Sequence, residues 1–293
     1  MKIGLIDVDS HNFPSLPLMK LSAYHKARGH DVEFCKKKKH YDIVYKSKVF
    51  TFTPDINYMP KADQVIEGGT GYESPVVLPK EIENICPDYN LYPQYDEAYG
   101  FITRGCPRNC PYCVVTQKEG PISKQVAEVR EFLGGQGTIK LLDPNLLACK
   151  DREKILIQLA ETGAWVDFTQ GLDIRLVDKG IVQLLNNIKI KIAHFAWDNE
   201  KEDLTAQFKL FRKHTNINDF RRRTVYILTN YTSSHADDLG RVYALRDMGF
   251  NPYVMIYDKD NAPYETRLLQ RWINNRRIFG NITTFEEYDR KRG

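Results

Sequence analysis

From Tyr99 onward the sequence repeats one unit, a short apolar run followed by a helical stretch whose apolar residues share a face, and this repeat restricts the chain to an α/β architecture. The spacing predicts strands over 99–103, 138–142, 165–169, 189–197, 224–230 and 252–257. Between them Ser123 reads as the N-cap of a helix carrying Val126, Val129, Phe132 and Leu133, and Asp151 as the cap of another carrying Ile155, Leu156 and Leu159. Ile181, Leu184 and Leu185, then Leu204, Phe208 and Phe211, then Leu239, Val242 and Leu245 continue the pattern. Short connections through helices return the chain to the same end of a sheet, so the strands should run parallel, and residues 99–260 are expected to form a partial (β/α)6 barrel. Residues 261–293 should close it, with one helix over 264–279.

Ahead of this region, residues 1–70 read as a small Rossmann-like α/β domain, with strands over 3–7, 32–34, 42–45 and 64–67 and a helix over 17–28 that stops at Gly29. Residues 71–98, which hold Pro75, Pro79, Pro87 and Pro93, read as a linker packing on the barrel. The longest apolar runs are interrupted by Lys189, Lys191 and His194, so no membrane span is expected, and the first residues read directly as a strand and not as a leader; the expected location is cytoplasmic. The balance of 42 basic and 38 acidic residues leaves a net charge of +4, which does not demand a nucleic-acid partner. The basic runs 36–39 and 221–223 read as solvated loops, with phosphate binding as the rival reading.

Three of the six cysteines fall within eight residues, as Cys106-Pro-Arg-Asn-Cys110-Pro-Tyr-Cys113, directly after the first expected barrel strand. Three thiolates on a tight loop can hold three irons of a cubane 4Fe-4S cluster and leave the fourth iron open to another ligand. Zinc in a structural site takes four protein ligands, and no further Cys or His follows within about 30 residues. The other expected strand ends carry Asp143 and Asn145, Gln170 and Asp173, Asp198, Asn230 and Asp258, and parallel strands bring such ends to one face.

The loop, with the aromatic Tyr112 before its last cysteine, resembles the signature of the radical S-adenosylmethionine (SAM) superfamily, and the βα pattern extends the resemblance over 99–257. The resemblance implies that Cys106, Cys110 and Cys113 hold a 4Fe-4S cluster, that SAM binds its open iron, and that an electron donor such as flavodoxin or ferredoxin reduces it. It implies that the backbone around Tyr112 reads the adenine and that a polar group after the second strand holds the SAM amino group. Where family members often carry a Gly-Gly-Glu-like stretch this chain has Leu142-Asp143-Pro144-Asn145, so the role passes to Asp143 and Asn145. Gln170, Asp173 and Arg175 are the candidates for the ribose and carboxylate, with Asp198 and Asn230 completing the cofactor-facing ring; for Arg175 a structural ion pair is the alternative. The N-terminal domain resembles a shortened cobalamin-binding domain, with Asp9-Ser10-His11 after its first strand, but Pro14 stands where the family has Gly, and a degenerate scaffold is preferred to a corrin site. The expected function is reductive cleavage of SAM to a 5′-deoxyadenosyl radical acting on an unidentified substrate, with methyl or methylthio transfer among the outcomes. The alternative is a zinc- or cluster-stabilised module binding nucleic acid.

Overall fold

The computed structural model describes residues 1–10, 13–72 and 76–289. The chain divides into two compact units, one of residues 1–100 with 127–137, the other of residues 101–126 with 138–293. Both are mixed α/β with parallel sheets.

In the first unit, β1 (Lys2–Asp7), β2 (Asp31–Phe34), β3 (His40–Ser47) and β4 (Lys61–Gly68) form a parallel sheet in the order β2-β1-β3-β4. Helix α1 (Leu16–Ala27) buries Leu18 and Leu21 against Ile3 and Leu5, each such side chain contributing roughly 1.5–3 kcal/mol. It ends at Gly29, which adopts the left-handed φ of +72°. The segment expected as a linker holds α2 (Lys80–Glu83) and is grouped with this unit, as is β5 (Ala98–Gly100), which starts at its last residue. Lys20 pairs with Glu83 at 2.9 Å, and Asp88 accepts hydrogen bonds from Ser22 Oγ and Lys26 Nζ, both at 2.6 Å. Asp9 is buried and accepts from the backbone N–H groups of Val49 (2.9 Å) and Phe50 (2.8 Å), so its carboxylate holds a turn. His11 and Pro75 lie outside the described residues.

The second unit begins with β6 (Thr103–Arg104), which pairs antiparallel with β7 (Lys124–Gln125) across α3 (Val115–Glu119). The single strand expected over 99–103 is therefore two pieces. The helix expected after Ser123 is absent: β7 occupies its start, and Ser123 Oγ donates to the Asn145 carbonyl at 2.8 Å. Then β8 (Thr138–Leu141), α4 (Arg152–Glu161), β9 (Trp165–Asp167), α5 (Lys179–Asn186), β10 (Lys189–Ala196), α6 (Thr205–His214), β11 (Arg223–Thr229), α7 (His235–Asp247) and β12 (Asn251–Ile256) alternate as expected. These strands pair in parallel in sequence order, β8-β9-β10-β11-β12. Val166, Ala193, Phe195, Val225, Ile227 and Val254 are fully buried on the helix-covered face, where Phe195 meets Phe208, Phe211 and Phe250 edge-on. Period-two alternation sends Asp167, His194, Tyr226 and Tyr253 to the other face.

The helix expected over 264–279 is two, α8 (Tyr264–Asn274) and α9 (Arg276–Asn281). Asn275 between them is extended, and its side chain accepts from the Arg277 and Ile278 N–H groups, ending one helix and starting the next. Strand β12 is an edge, and Asn274 covers it: its amide oxygen accepts from Val254 N–H (2.8 Å) and its Nδ2 donates to Val254 O (2.9 Å).

Candidate metal and cofactor site

The cysteine loop leaves β6 through Gly105, whose φ of +91° is open to glycine; a Cβ there would lie 2.2 Å from Ile122 O. Gly105 N–H donates to Glu119 Oε2 (3.2 Å), Cys106 N–H to Gly120 O (3.1 Å) and Thr116 Oγ1 to Cys106 O (3.2 Å). The loop is thus closed on α3, and Cys113 N–H turns back to Cys110 O at 3.0 Å. All three cysteines are free; Cys106 and Cys110 are half-buried and Cys113 exposed, whereas Cys149 is a buried core residue. Burial pushes the Cys110 thiol up; a bond from Tyr112 opposes that, and the charges of Cys113, Cys106 and Asp198 raise it further, so Cys110 is within electrostatic reach of both other cysteines. Among the described residues, no three or more His, Cys, Asp and Glu side chains are drawn into a ready-made metal-binding group.

Asp143 is buried, and both oxygens are engaged by the base of the loop. Oδ2 accepts from Ile102 N–H at 3.2 Å, while Oδ1 accepts from Thr103 N–H and, at 2.7 Å, from Thr103 Oγ1. Burial pushes its carboxyl up to about 6 against the lowering pull of these donors. Asp143 is therefore an anchor for the strand that launches the cysteines. Both of its oxygens are thus turned to the base of the loop, and the donors to them come from Ile102 and Thr103.

Asn145 is the residue that reaches the loop. It is 4% exposed, and its Nδ2 lies 3.5 Å from Cys106 Sγ and 3.5 Å from Asp173 Oδ2. Its Oδ1 is buried with no partner. Asp173 also accepts from Arg108 Nε (2.7 Å) and Arg175 Nη1 (3.2 Å) and caps the short turn Ile174–Leu176. Burial would raise the Asp173 carboxyl, but the two guanidinium groups outweigh it and hold the group below the usual carboxylate range. Arg175 is committed on its other side to Glu202, through Nε at 2.9 Å and through Nη2. This is the structural ion pair that stood as its alternative.

A second set centres on Asp198, whose carboxyl is raised by burial. It accepts from Leu228 N–H (3.1 Å) and Tyr112 Oη (3.3 Å), and burial, then Asp198, pushes the Tyr112 phenol well above its usual range. Gln170 is exposed. Asn230 adopts the left-handed φ of +61° and donates to Asp258 O at 3.3 Å. The structure therefore joins Cys106, Asn145, Asp173 and Arg175 directly, and Tyr112 to Asp198, while Gln170 and Asn230 bond to neither group.

Sequence reading passed over three residues here. Arg108 sits inside the motif itself, its charge among cysteines being the available signal. Glu119 carries no such signal. Arg241 donates to the carbonyls of Trp197 (2.7 Å) and Leu228 (3.0 Å) and pairs with Asp238 at 2.5 Å, holding together the ends of β10 and β11; its i,i+3 acidic partner is legible in sequence. Several residues of the two basic runs have partners within the chain. Lys36 and Lys39 pair with Glu33, Arg221 with Asp219, and Arg222 donates to Ile190 O. Arg223, expected in a solvated loop, is buried and donates to the Gly249 and Ile217 carbonyls.

Among the described residues no helix is long and apolar enough to cross a membrane. Comparison of the chain with protein-family models and with curated proteins finds no match.

Proposed function

We propose that the chain is a radical SAM enzyme built on a partial (β/α)6 barrel, with Cys106, Cys110 and Cys113 as the thiolate ligands of a 4Fe-4S cluster. The observation that carries this reading is Asn145. Its amide nitrogen lies 3.5 Å from Cys106 Sγ, and its buried carbonyl oxygen has no partner, which suits an acceptor for an ammonium group beside the cysteine loop. Three thiols on one loop, with no nearby fourth Cys or His in the sequence, suit a cluster with one open iron better than they suit zinc. When bound, the cluster supplies one-electron reductive cleavage of the SAM sulfonium, giving a radical that abstracts hydrogen from a substrate. The protein's own groups position it. Asp143 fixes the base of the loop; Asp173, kept ionised by Arg108 and Arg175, offers a charged acceptor beside Asn145; Tyr112 is braced by Asp198. The sequential, all-parallel order of β8 to β12 is what a partial barrel requires.

The test is anaerobic reconstitution with iron and sulfide, iron counting, and mass spectrometry for 5′-deoxyadenosine after addition of SAM and a reductant. The expected result is about four irons per chain, with 5′-deoxyadenosine formed, and Cys110→Ala losing both together. A colourless protein with one zinc overturns the reading.

A further inference from the structure

A cluster of positive charge on the second unit is formed by residues outside the cysteine loop and outside both basic runs. An open pocket of about 820 Å3 is lined by Lys259, Arg271, Arg276 and Arg277, with Asn274 and Tyr253 among the rest of its wall and no Asp or Glu among its described lining residues. The break at Asn275 that separates α8 from α9 is what gathers Arg271, Arg276 and Arg277 around one opening, and the turn after β12 brings Lys259. Lys259, Arg276 and Arg277 around one opening, with no Asp or Glu among its described lining residues, favour a polyanion.

Tyr253 ties this pocket to an aromatic row. Tyr253, Met255 and Tyr257 alternate along β12 and its continuation and are all more than 40% exposed. Tyr257 meets Tyr231 at 4.8 Å between ring centroids, and Tyr231 meets Tyr112 at 5.4 Å, both edge-on. The row thus leads from the basic pocket to the residue before Cys113. Charge that follows a phosphate backbone, next to exposed rings that accept stacked bases, is the combination by which proteins hold single strands.

We propose that the pocket and the tyrosine row bind a single-stranded nucleic acid, its phosphates against Lys259, Arg276 and Arg277 and its bases stacked along Tyr253, Tyr257 and Tyr231 toward the cysteine loop. The inference rests on the radical SAM reading for one point, that the bound strand is the substrate; the binding itself does not depend on it. Duplexes are disfavoured because their bases cannot stack on side chains without being unpaired.

The experiment is fluorescence anisotropy of the full chain with labelled oligonucleotides of about 12 nucleotides, a length within the range of single-strand sites. RNA, DNA of the same sequence and the duplex are compared over a salt series. Single strands should bind at least about tenfold more tightly than the duplex. In Arg276→Gln/Arg277→Gln the slope of log Kd against log salt should fall by about 1.4, some 0.7 for each lost phosphate contact. Tyr257→Leu should raise Kd about tenfold. Lys259→Gln, at an exposed position, repeats the charge test should the double variant fail to fold. Arg221→Gln, whose charge Asp219 already balances, should change nothing. Preference for RNA or for DNA names the substrate more closely, and either supports the proposal. Equal affinity for the duplex, or a pocket variant that behaves like Arg221→Gln, overturns it. Pocket-dependent binding by a chain that takes up no iron would refute the enzymatic reading alone. A chain that forms 5′-deoxyadenosine but binds no strand would refute this inference alone.

Discussion

Replacing Asp143 by Ala separates an anchor of the cysteine loop from a ligand of SAM. The substitution strands three donors, the N–H groups of Ile102 and Thr103 and the Thr103 hydroxyl, at two residues with no solvent exposure. A buried donor left unmade costs about 1–3 kcal/mol, so the loss should be about 3–6 kcal/mol, short of the full sum because water can enter the space vacated. Asp143→Asn retains one acceptor oxygen and should lose about 1–2 kcal/mol. The carboxyl also carries a pH signature. Because its folded pKa is raised to about 6, its contribution is complete below the unfolded value near 4 and is lost as pH rises through 6, a change of up to about 3 kcal/mol that the Asn variant lacks. Urea unfolding at several pH values measures both effects, and iron content after reconstitution should fall with stability in the Ala variant. If Asp143→Ala unfolds at the wild-type urea concentration while SAM binds more weakly, Asp143 is a ligand and the anchoring argument is wrong.

Gly105→Ala forces a side chain into a left-handed φ and against Ile122 O; it should cost more than the roughly 1–3 kcal/mol of backbone strain alone and lower iron content, and a variant with full iron and an unchanged melting point would refute the tight turn. Arg175→Ala should destabilise the fold by about 1–2 kcal/mol and change SAM affinity less than about threefold, measured by calorimetry; the reverse outcome would make Arg175 a ligand. In the first unit, burial and then the charges of His30 and Arg28 lower the His25 imidazole to about 4. That neutral histidine contributes stability above pH 6.5 that is lost as pH falls toward 4, up to about 3 kcal/mol. Thermal unfolding of His25→Gln should lose less on acidification than the wild type, and an identical acid loss would rule His25 out as the cause.

The parallel strands β8 to β12 were legible because each is an apolar run bounded by helices of matching period. The stretch after Ser123 shows the limit of that signal. Val129 and Phe132 are buried as their spacing suggests, yet they belong to the first unit while Val126 belongs to the second. Spacing reports that residues are covered and not by what. The site follows the same rule. Cys106, Asn145 and Asp173 could be named from strand ends, but the capture of Asp143 by backbone donors and of Arg175 by Glu202 depends on residues 27 to 41 positions away. The basic pocket escaped notice because its charges are scattered between residues 259 and 277 and form no run.

The side chain of Asn274 gives the edge of β12 a terminus. By supplying one donor and one acceptor to Val254, it spends the hydrogen-bonding pair at the middle of the outermost strand, where an added chain would otherwise zip on. Sheet-to-sheet joining of two molecules through this border is thereby discouraged, and a peptide cannot be recognised here by backbone ladder alone. Whatever approaches β12 meets it through the side chains of Tyr253, Met255 and Tyr257, so selectivity at this border is a matter of ring faces and charge rather than of main-chain register.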